Sequence, residues 1–320
     1  MTAPVRVALI GAGTMGSHHA RVIAQSPRAE LALLVDPRQA VGTEVAERFG
    51  AEWAPELPDL AEIDAVVVAA ATEAHYELAV RVLNDDTALL IEKPVADSLA
   101  KTREIVALAE TRDLPLVCGL LERYNPAVMT ARALIEHPLH ITAARHSPYA
   151  PRIRTGVAWD LLVHDVDLAI NLIGSAPTSV ESRLGYFHPD SAESAEDVAE
   201  TLLGFGDGAI AQVSASRIGQ RKIRQLSINE AERLIEVDLL RRDVTVYHHV
   251  SENLVDEGRG YRQQTVIEIP ELVTSQEPLT TQFSHFLDLV EGTSDAAAER
   301  ATILPPHEVI DAAIAKTGRG

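Results

Sequence analysis

A glycine-rich turn near the N-terminus constrains the fold more than any other feature of this sequence. Residues 5–10 form an apolar, β-branched run, typical of a strand that is buried on both faces of a sheet. Gly11, Gly13 and Gly16 follow in G-x-G-x-x-G spacing, and a helical pattern then runs from about Met15 to Gln25. This strand, turn and helix predict a dinucleotide-binding unit, in which free N–H groups at the helix N-terminus face a pyrophosphate.

Each glycine of the turn has its own predicted task. Gly11 permits the tight turn, Gly13 lets the backbone approach the pyrophosphate, and Gly16 lets the helix pack close to the strand. We expect Thr14 and Met15, at the start of the helix, to bind the cofactor together with the glycines.

A carboxylate follows the second predicted strand and indicates which dinucleotide is bound. The strand Leu31 to Val35 ends in Asp36, about twenty residues past Gly16, where a carboxylate meets the ribose 2′-hydroxyl of NAD. The alternative is an aspartate that only caps the next helix. Because a carboxylate repels the 2′-phosphate of NADP and Arg38 softens that preference, NAD is favoured and NADP stays open.

Strands and helices continue to alternate up to about residue 119, which predicts an α/β domain over residues 1–121. The alternation indicates a doubly wound parallel sheet with helices on both faces. The further predicted elements are strand 64–70, helix His75–Asn84, strand 88–92, helix Ser98–Arg112 and strand 114–119. Ligands bind at the carboxyl ends of such strands. The residues that we expect there, at the cofactor, are Thr72, His75, Glu92 and Lys93.

The pattern changes after residue 121, and residues 122–320 are predicted to form an α+β domain. We expect a largely antiparallel sheet that is covered by helices on one face. Its predicted strands lie within 140–147, 178–187, 200–217, 221–249 and 263–269. The sequence FGDG (205–208) is a hairpin signal, and the acidic segment 188–198 is predicted to be an exposed loop.

The segment 159–169, WDLLVHDVDLA, places polar residues on an otherwise apolar helix. Helical spacing puts four of them on one face and Asp165 on another. The four are Asp160, His164, Asp167 and Asn171. Burying such a stripe unpaired is costly, so this face lines a cleft or is paired internally.

Three interpretations of the stripe compete. A metal site is disfavoured, because the chain shows no second ligand pair with suitable spacing. A purely structural stripe remains open. A proton-transfer site has His164 as the natural base, with Asp167 one turn away to orient its ring.

Lys93 is the second candidate for chemistry. It follows an apolar strand and precedes Pro94, which pushes the preceding residue away from helical geometry. We therefore expect Lys93 to be extended and held at the strand end, near the nicotinamide. The alternative is a surface lysine at a turn.

The stretches GAGTMGSHHA, EKP and WDLLVHDVDLAINLIG, in this order, resemble the glucose–fructose oxidoreductase, inositol dehydrogenase and rhizopine-catabolism (Gfo/Idh/MocA) oxidoreductases. The resemblance covers nearly the whole chain. It implies an NAD(P)-dependent dehydrogenase acting on CH–OH groups, with Lys93, Asp160 and His164 as the catalytic group. It also implies a homodimer or homotetramer formed through the open face of the C-terminal sheet. One departure is Ala71, which precedes Thr72 where the family often has proline.

Candidate substrate-binding residues lie on both sides of residue 140. Tyr124 and Asn125 follow the last strand of the first domain and are expected to face the cleft. Arg145, Arg152 and Arg154 form a basic cluster, and guanidinium groups suit bidentate contacts with phosphate. This part of the chain resembles family members that act on nucleotide sugars, in particular UDP-N-acetylglucosamine 3-dehydrogenases. The resemblance implies that the arginines hold the diphosphate; the alternative is surface arginines paired with nearby acids.

Composition narrows the remaining possibilities. The net charge of −19 argues against a nucleic-acid partner, and no apolar run of about 18 residues predicts a membrane span. The start of the chain does not resemble a signal peptide, and the single cysteine, Cys118, fits a cytoplasmic location. A free sugar, an inositol or a cyclic hemiacetal remain alternative substrates. A non-catalytic NAD-binding sensor is the alternative of another class.

Overall fold

The computed structural model describes residues 3–151, 153–192, 195–253 and 261–315. The chain divides into two compact units. The first consists of Met1–Leu121 with Pro278–His307, and the second of Glu122–Glu277 with Glu308–Gly320. Over the described ranges, none of the helices combines the length and the apolar composition that crossing a bilayer requires.

The strands and helices alternate in the first third of the chain and separate later. The strands are β1 (Val5–Ile10), β2 (Ala29–Val35), β3 (Glu52–Ala54), β4 (Ala65–Val68), β5 (Ala88–Ile91), β6 (Leu116–Cys118), β7 (His140–His146), β8 (Ser179–Gly185), β9 (Val198–Gly204), β10 (Ile210–Ser216), β11 (Ile223–Asn229), β12 (Arg233–Asp238), β13 (Asp243–Asn253) and β14 (Tyr261–Glu268). The α-helices are α1 (Thr14–Gln25), α2 (Gln39–Phe49), α3 (Thr72–Asn84), α4 (Leu99–Thr111), α5 (Pro126–Leu134), α6 (Val163–Ile173), α7 (Pro278–Val290), α8 (Ala296–Ala301) and α9 (Leu304–Ala315). A 3₁₀ turn spans Leu121–Tyr124, and a π-helical turn spans Ala158–Leu162.

The first unit contains a six-stranded parallel sheet in the order β3-β2-β1-β4-β5-β6. Every residue of β4 and β5 is buried, because both strands are apolar throughout and are covered on both faces. The strand order reverses between β1 and β4, and this is the switch point at which doubly wound sheets bind ligands. The predicted α/β class of this part is confirmed.

Helix α7 also belongs to the first unit, although the sequence analysis placed everything after residue 121 in the second domain. Its apolar face joins the core that is formed by β1, β2 and α1, through Leu279, Phe283 and Phe286. An amphipathic pattern indicates that a helix buries one face, but it does not indicate which sheet covers that face. The return of α7 and α8 to the first unit therefore required the structure.

The second unit contains an eight-stranded sheet in the order β14-β13-β12-β11-β7-β10-β9-β8. Of the pairs between described strands, only β7 with β10 is parallel, and the predicted largely antiparallel sheet is confirmed. The predicted hairpin joins β9 to β10, where the Phe205 N–H donates to the Ala209 carbonyl at 3.0 Å and Gly208 has φ +92°. Helices α5 and α6 pack on this sheet, against β12 and β7 respectively.

Candidate functional site

The glycine turn has the close packing that its spacing predicts. Gly11 has φ +103°, and a Cβ on it would lie 2.5 Å from the Ala69 carbonyl oxygen. A Cβ on Gly16 would lie 1.9 Å from the Gly11 carbonyl oxygen, so helix and turn approach each other more closely than any side chain allows. Around Gly13, by contrast, no atom of the described chain lies within 4 Å of the Cβ position. The turn is therefore tight on its inner side and open where a phosphate group is expected.

The N-terminus of α1 suits an anion. Gly13 is its N-cap, and within the described chain no side chain caps the helix and no acidic residue lies in its first turn. The N–H groups at Thr14 and Met15 belong to the helical positions that lack carbonyl partners within the helix. Together with the open space at Gly13, they fit the pyrophosphate of a dinucleotide.

Asp36 lies at the end of β2, beside the glycine turn. Its Oδ2 accepts the Ala12 N–H at 2.8 Å, and its two oxygens accept the Nε and Nη2 of Arg38 at 3.0 and 2.8 Å. The Arg38 guanidinium holds the pKa of the Asp36 carboxyl at about 2, with the Ala12 N–H adding to the effect and burial opposing it. A carboxylate therefore lies where the ribose is predicted to bind. Arg38, which was expected to soften the preference for NAD, forms an ion pair with this carboxylate.

Lys93 lies directly past the end of β5, as expected, and is half-buried. The Lys93–Pro94 peptide bond is cis. Glu92 accepts a hydrogen bond from His19 of α1, with 2.8 Å between Nε2 and Oε1. Thr72 is the first residue of α3, with Ala71 as the N-cap.

His75, which the sequence analysis placed at the cofactor, is buried against backbone carbonyl groups. It is 1% exposed, and its Nδ1 and Nε2 lie 2.9 and 3.2 Å from the carbonyl oxygens of Pro94 and Ala70. Both ring nitrogens thus face backbone carbonyl oxygens, and a ring with a single N–H donates to one of them. The contacts of His75 in this structure are internal, and its role at the cofactor stays a prediction.

Asp160 and His164 lie in the second unit, where the helical stretch 159–169 is not one continuous α-helix. Asp160 belongs to the π-helical turn, and His164 lies in the first turn of α6; both are half-buried. π-Helical turns widen the helix locally and often occur at functional sites. The sequence analysis missed this turn because helical periodicity assumes 3.6 residues per turn throughout.

Glu196 holds the start of the π-helical turn. Its Oε1 accepts the Ala158 N–H at 2.7 Å, and its carbonyl accepts the Val157 N–H at 3.0 Å. Burial raises the pKa of its carboxyl, and the Ala158 N–H opposes that shift. A Cβ on Gly156 would lie 2.0 Å from Glu196 Oε2, so the glycine makes room for the carboxylate. Nothing in the sequence around Glu196 indicates this role.

Arg145 is a buried structural residue and not part of an exposed basic cluster, which corrects the sequence analysis. It is 1% exposed and donates to both oxygens of Asp165 at 2.8 Å and to Glu122 Oε1 at 2.8 Å. Burial lowers the pKa of Arg145, but the two carboxylates raise this pKa above its ordinary value. Asp165 is buried and structural, because its oxygens bond Arg145. Because three of its five N–H donors bond these carboxylates and the residue is 1% exposed, Arg145 is poorly placed to bind a diphosphate.

Asn125 also differs from its predicted role. It is 4% exposed; its Oδ1 caps α5 by accepting the Ala127 N–H at 3.1 Å, and its Nδ2 donates to the Leu239 carbonyl at 3.1 Å. An amide whose oxygen and nitrogen are both engaged internally has little left for a substrate. The neighbouring Tyr124 is half-buried and ends the 3₁₀ turn.

Three other polar residues were candidates in this region. Asp167 is buried and pairs with Arg123, with 2.7 Å between Oδ2 and Nε. Its suggested action on the His164 ring stays a prediction. Arg154 is exposed, and Arg152 lies outside the described residues.

The comparisons with known proteins agree with this architecture. Residues 5–120 match the model of the Gfo/Idh/MocA oxidoreductase family with its NAD-binding Rossmann fold, and residues 128–229 match the Gfo/Idh/MocA C-terminal domain. The chain belongs to this oxidoreductase family, and its first unit is an NAD-binding Rossmann fold. The predicted family, enzyme class and cofactor are confirmed.

Several relatives carry names for their activity. The chain is 30% identical over 247 residues to the UDP-N-acetylglucosamine 3-dehydrogenase of Acidithiobacillus ferrooxidans, covering 76% of this chain and 77% of that one. The solved structure of that enzyme, GnnA, superposes with a TM-score of 0.83 at 26% identity, covering 99% and 100% of the two chains.

Two further relatives carry names other than UDP-N-acetylglucosamine 3-dehydrogenase. The scyllo-inositol 2-dehydrogenase (NAD⁺) of Bacillus subtilis is 29% identical over 232 residues, 67% of either chain. GenD2 from gentamicin A biosynthesis, solved in complex with NAD, superposes with a TM-score of 0.81 at 25% identity, covering 100% of this chain and 96% of that one.

Proposed function

We propose that this chain oxidises a secondary alcohol of a nucleotide sugar with NAD, at C3 of UDP-N-acetylglucosamine. The observation that carries the proposal is the 30% identity to a UDP-N-acetylglucosamine 3-dehydrogenase over 76% of the chain. The candidate residues Lys93, Asp160 and His164 lie in the stretches EKP and WDLLVHDVDLAINLIG, for which the resemblance to the family implies a catalytic role. The reverse reaction, reduction of the corresponding ketone, uses the same groups.

The chemistry is assigned to three side chains of this protein. His164 takes the hydroxyl proton of the alcohol, since an imidazole exchanges protons near neutral pH. Lys93 donates a hydrogen bond to the oxygen as negative charge develops on it. Asp160 positions these groups and balances their charge. NAD, when bound, supplies the hydride acceptor.

The cofactor is proposed to occupy the carboxyl edge of the parallel sheet in the first unit. Backbone N–H groups of the turn hold the pyrophosphate, and Asp36 accepts hydrogen bonds from the ribose in place of the Arg38 side chain, which bonds both of its oxygens in this structure. The residues proposed to contact the cofactor are Gly11, Gly13, Thr14, Met15, Gly16, Asp36, Arg38, Thr72, Glu92 and Lys93. The Arg38 guanidinium also leaves NADP as a possible second cofactor, because it attracts a 2′-phosphate.

The diphosphate of the substrate is proposed to bind Arg152 and Arg154, with Tyr124 close to the sugar. Arg154 is exposed and therefore accessible to a ligand. Guanidinium groups bind phosphate oxygens bidentately, which an ammonium group does not.

A cyclitol or free sugar is a second candidate substrate. Arg145, one of three arginines in the basic segment, is buried and paired with Asp165 and Glu122, which leaves fewer cations for a diphosphate than the sequence suggests. The relative that is named scyllo-inositol 2-dehydrogenase shows that cyclitol oxidation occurs at similar overall identity, 29%.

The catalytic assignment is tested with His164→Ala. Turnover of NAD with substrate should fall by about 10²- to 10⁴-fold while NAD still binds, because only the proton acceptor is lost. His137→Ala is the matched control, since His137 is an exposed histidine of the same unit. A His164→Ala enzyme with the turnover of the control removes the assignment.

The substrate assignment is tested with an Arg152→Ala, Arg154→Ala double variant. Its KM should rise for UDP-N-acetylglucosamine and stay unchanged for free N-acetylglucosamine or an inositol, because only the nucleotide sugar carries a diphosphate. Equal effects on both classes of substrate exclude the diphosphate pocket.

We further propose a cytoplasmic homodimer or homotetramer that assembles through the open face of the eight-stranded sheet. Leu202 on β9 and Ile210 on β10 are 44% and 45% exposed on that sheet, and Ile267 on β14 is 58% exposed. Exposed apolar side chains on one sheet are typical of association surfaces. Sedimentation of the purified protein tests this, and a concentration-independent monomer contradicts it.

A further inference from the structure

Three buried histidines surround the segment Glu92–Val95, which carries Lys93. His19, His75 and His307 are 0%, 1% and 0% exposed. Histidines are seldom so fully buried unless hydrogen bonds engage their nitrogens. Each of these rings bonds a residue next to or near Lys93, and all three belong to the first unit.

On the N-terminal side of Lys93, His19 holds the Glu92 side chain. Its Nε2 lies 2.8 Å from Glu92 Oε1, and within the described chain its Nδ1 has no hydrogen-bond partner. The neutral ring with hydrogen on Nε2 satisfies this arrangement best, because a hydrogen on Nδ1 would be buried without an acceptor. A Cβ on Gly119 would lie 2.6 Å from Glu92 Oε2, so the carboxylate fits only because this position is glycine.

On the C-terminal side of Lys93, the other two rings hold the backbone. His75 Nδ1 lies 2.9 Å from the Pro94 carbonyl oxygen. His307 Nε2 accepts the Val95 N–H at 3.4 Å, while its Nδ1 lies 2.7 Å from the Ile303 carbonyl oxygen. These contacts fix the His307 ring as the tautomer with hydrogen on Nδ1.

We propose that His19 and His75 are positioning residues for Lys93, which they act on through Glu92 and Pro94. His19 lies in α1, the helix whose N-terminus faces the proposed pyrophosphate position, and His75 lies in α3. The two rings thus fix the Lys93 backbone relative to the glycine turn before α1 and to the loop before α3. The Lys93 ammonium group is carried on a four-carbon side chain, so a shift of the backbone at this residue shifts the point from which the ammonium group reaches the substrate.

The expected consequence is mainly a loss of turnover. A displacement of about 1 Å of a catalytic group reduces turnover by about 10²-fold. We expect His19→Leu and His75→Leu to lower kcat by about 10- to 100-fold. The KM for NAD should change by less than about threefold in His75→Leu and rise further in His19→Leu, because Glu92, which His19 holds, is itself a proposed cofactor contact. This prediction rests on the proposed role of Lys93.

Conservative variants separate positioning from general folding. Glutamine places an N–H donor near the His19 Nε2 position and asparagine places one near the Nδ1 position of His75, so His19→Gln and His75→Asn should restore most of kcat. His18→Leu is the matched control, because His18 is the exposed neighbour of His19 on α1. If His19→Leu does not fold, His19→Gln is compared with His19→Asn, whose shorter side chain does not reach Glu92.

A second readout does not depend on turnover. The rate of reductive methylation of Lys93, measured by peptide mass spectrometry with Lys101 as internal reference, should change severalfold in both leucine variants. It should stay at the wild-type value in His19→Gln and His18→Leu. Leucine variants that fold and keep both the wild-type kcat and the wild-type Lys93 reactivity overturn the inference. A wild-type protein without turnover on any substrate contradicts the proposed function instead, and the labelling rates still test the positioning role.

Discussion

Removal of the Arg145 guanidinium by Arg145→Met is expected to destabilise the second unit strongly. Arg145 is 1% exposed and makes three hydrogen bonds of 2.8 Å to Asp165 and Glu122. Loss of one partner from a buried ion pair costs about 3–5 kcal/mol, because the remaining carboxylates stay buried without their counter-charge. With an m value of about 2 kcal/mol/M, this corresponds to a fall of about 1.5–2.5 M in the urea midpoint.

The measurement uses the two tryptophans, one in each unit. In a Trp53→Phe background, fluorescence of Trp159 reports on the second unit alone. The matched control is Arg241→Met, because Arg241 belongs to the same unit and pairs with Asp238 at the surface, where their side chains are 79% and 26% exposed. Exposed ion pairs contribute about 1 kcal/mol or less.

Two further results follow from the same physical argument. Addition of Asp165→Asn to Arg145→Met should recover part of the lost stability, because one of the uncompensated charges is removed. The deficit of Arg145→Met should also shrink as the pH falls, because burial raises the pKa of the Asp165 carboxyl and a carboxyl group with a raised pKa takes up a proton in the folded state. A midpoint shift no larger than that of Arg241→Met would refute the assignment of Arg145 as a buried ion-pair residue.

Two other predictions concern the first unit. Gly16→Ala should destabilise the fold and abolish NAD binding, since its Cβ would lie 1.9 Å from the Gly11 carbonyl oxygen, whereas Gly13→Ala should leave stability within about 0.5 kcal/mol yet weaken NAD binding by about tenfold or more. Thermal melts and NAD titrations of both variants check this, and wild-type NAD affinity in Gly13→Ala contradicts it. Asp36 has its pKa lowered from 3.8 to about 2, so its stabilising contribution is complete above pH 3.8 and is lost as the pH falls through about 2. Urea midpoints of wild type and Asp36→Asn should therefore converge only at acid pH; a constant difference down to pH 2 contradicts the Arg38 ion pair.

The part of the first unit up to Leu121 was predictable from sequence because its signals are local. The apolar strand β1, the glycine turn and helix α1 follow each other directly, so spacing alone identifies the cofactor turn. The predicted helix boundaries differ from those of α1, α3 and α4 by no more than a few residues. Strand β3, with three residues, is too short for a periodic pattern to indicate it.

The candidate site was less predictable because its contacts join distant parts of the chain. Arg145 looked like a phosphate ligand because it stands near two other arginines, but its partners Asp165 and Glu122 lie about twenty residues away on either side. Asn125 caps α5. Its position directly before Pro126 is a sequence signal for this role, because proline is common at the first position of a helix. His19 follows Gly16 by three residues on the buried face of α1, and a histidine in an apolar stripe was the one available signal for its role.

The central claim is that this chain transfers hydride from a sugar alcohol to NAD. The most direct test is the formation of NADH, followed by absorbance, when the purified protein and NAD are mixed with UDP-N-acetylglucosamine, free N-acetylglucosamine or an inositol. We predict NADH formation with UDP-N-acetylglucosamine and none above background when the substrate is omitted. A protein that binds NAD but forms no NADH with any of these compounds contradicts the claim.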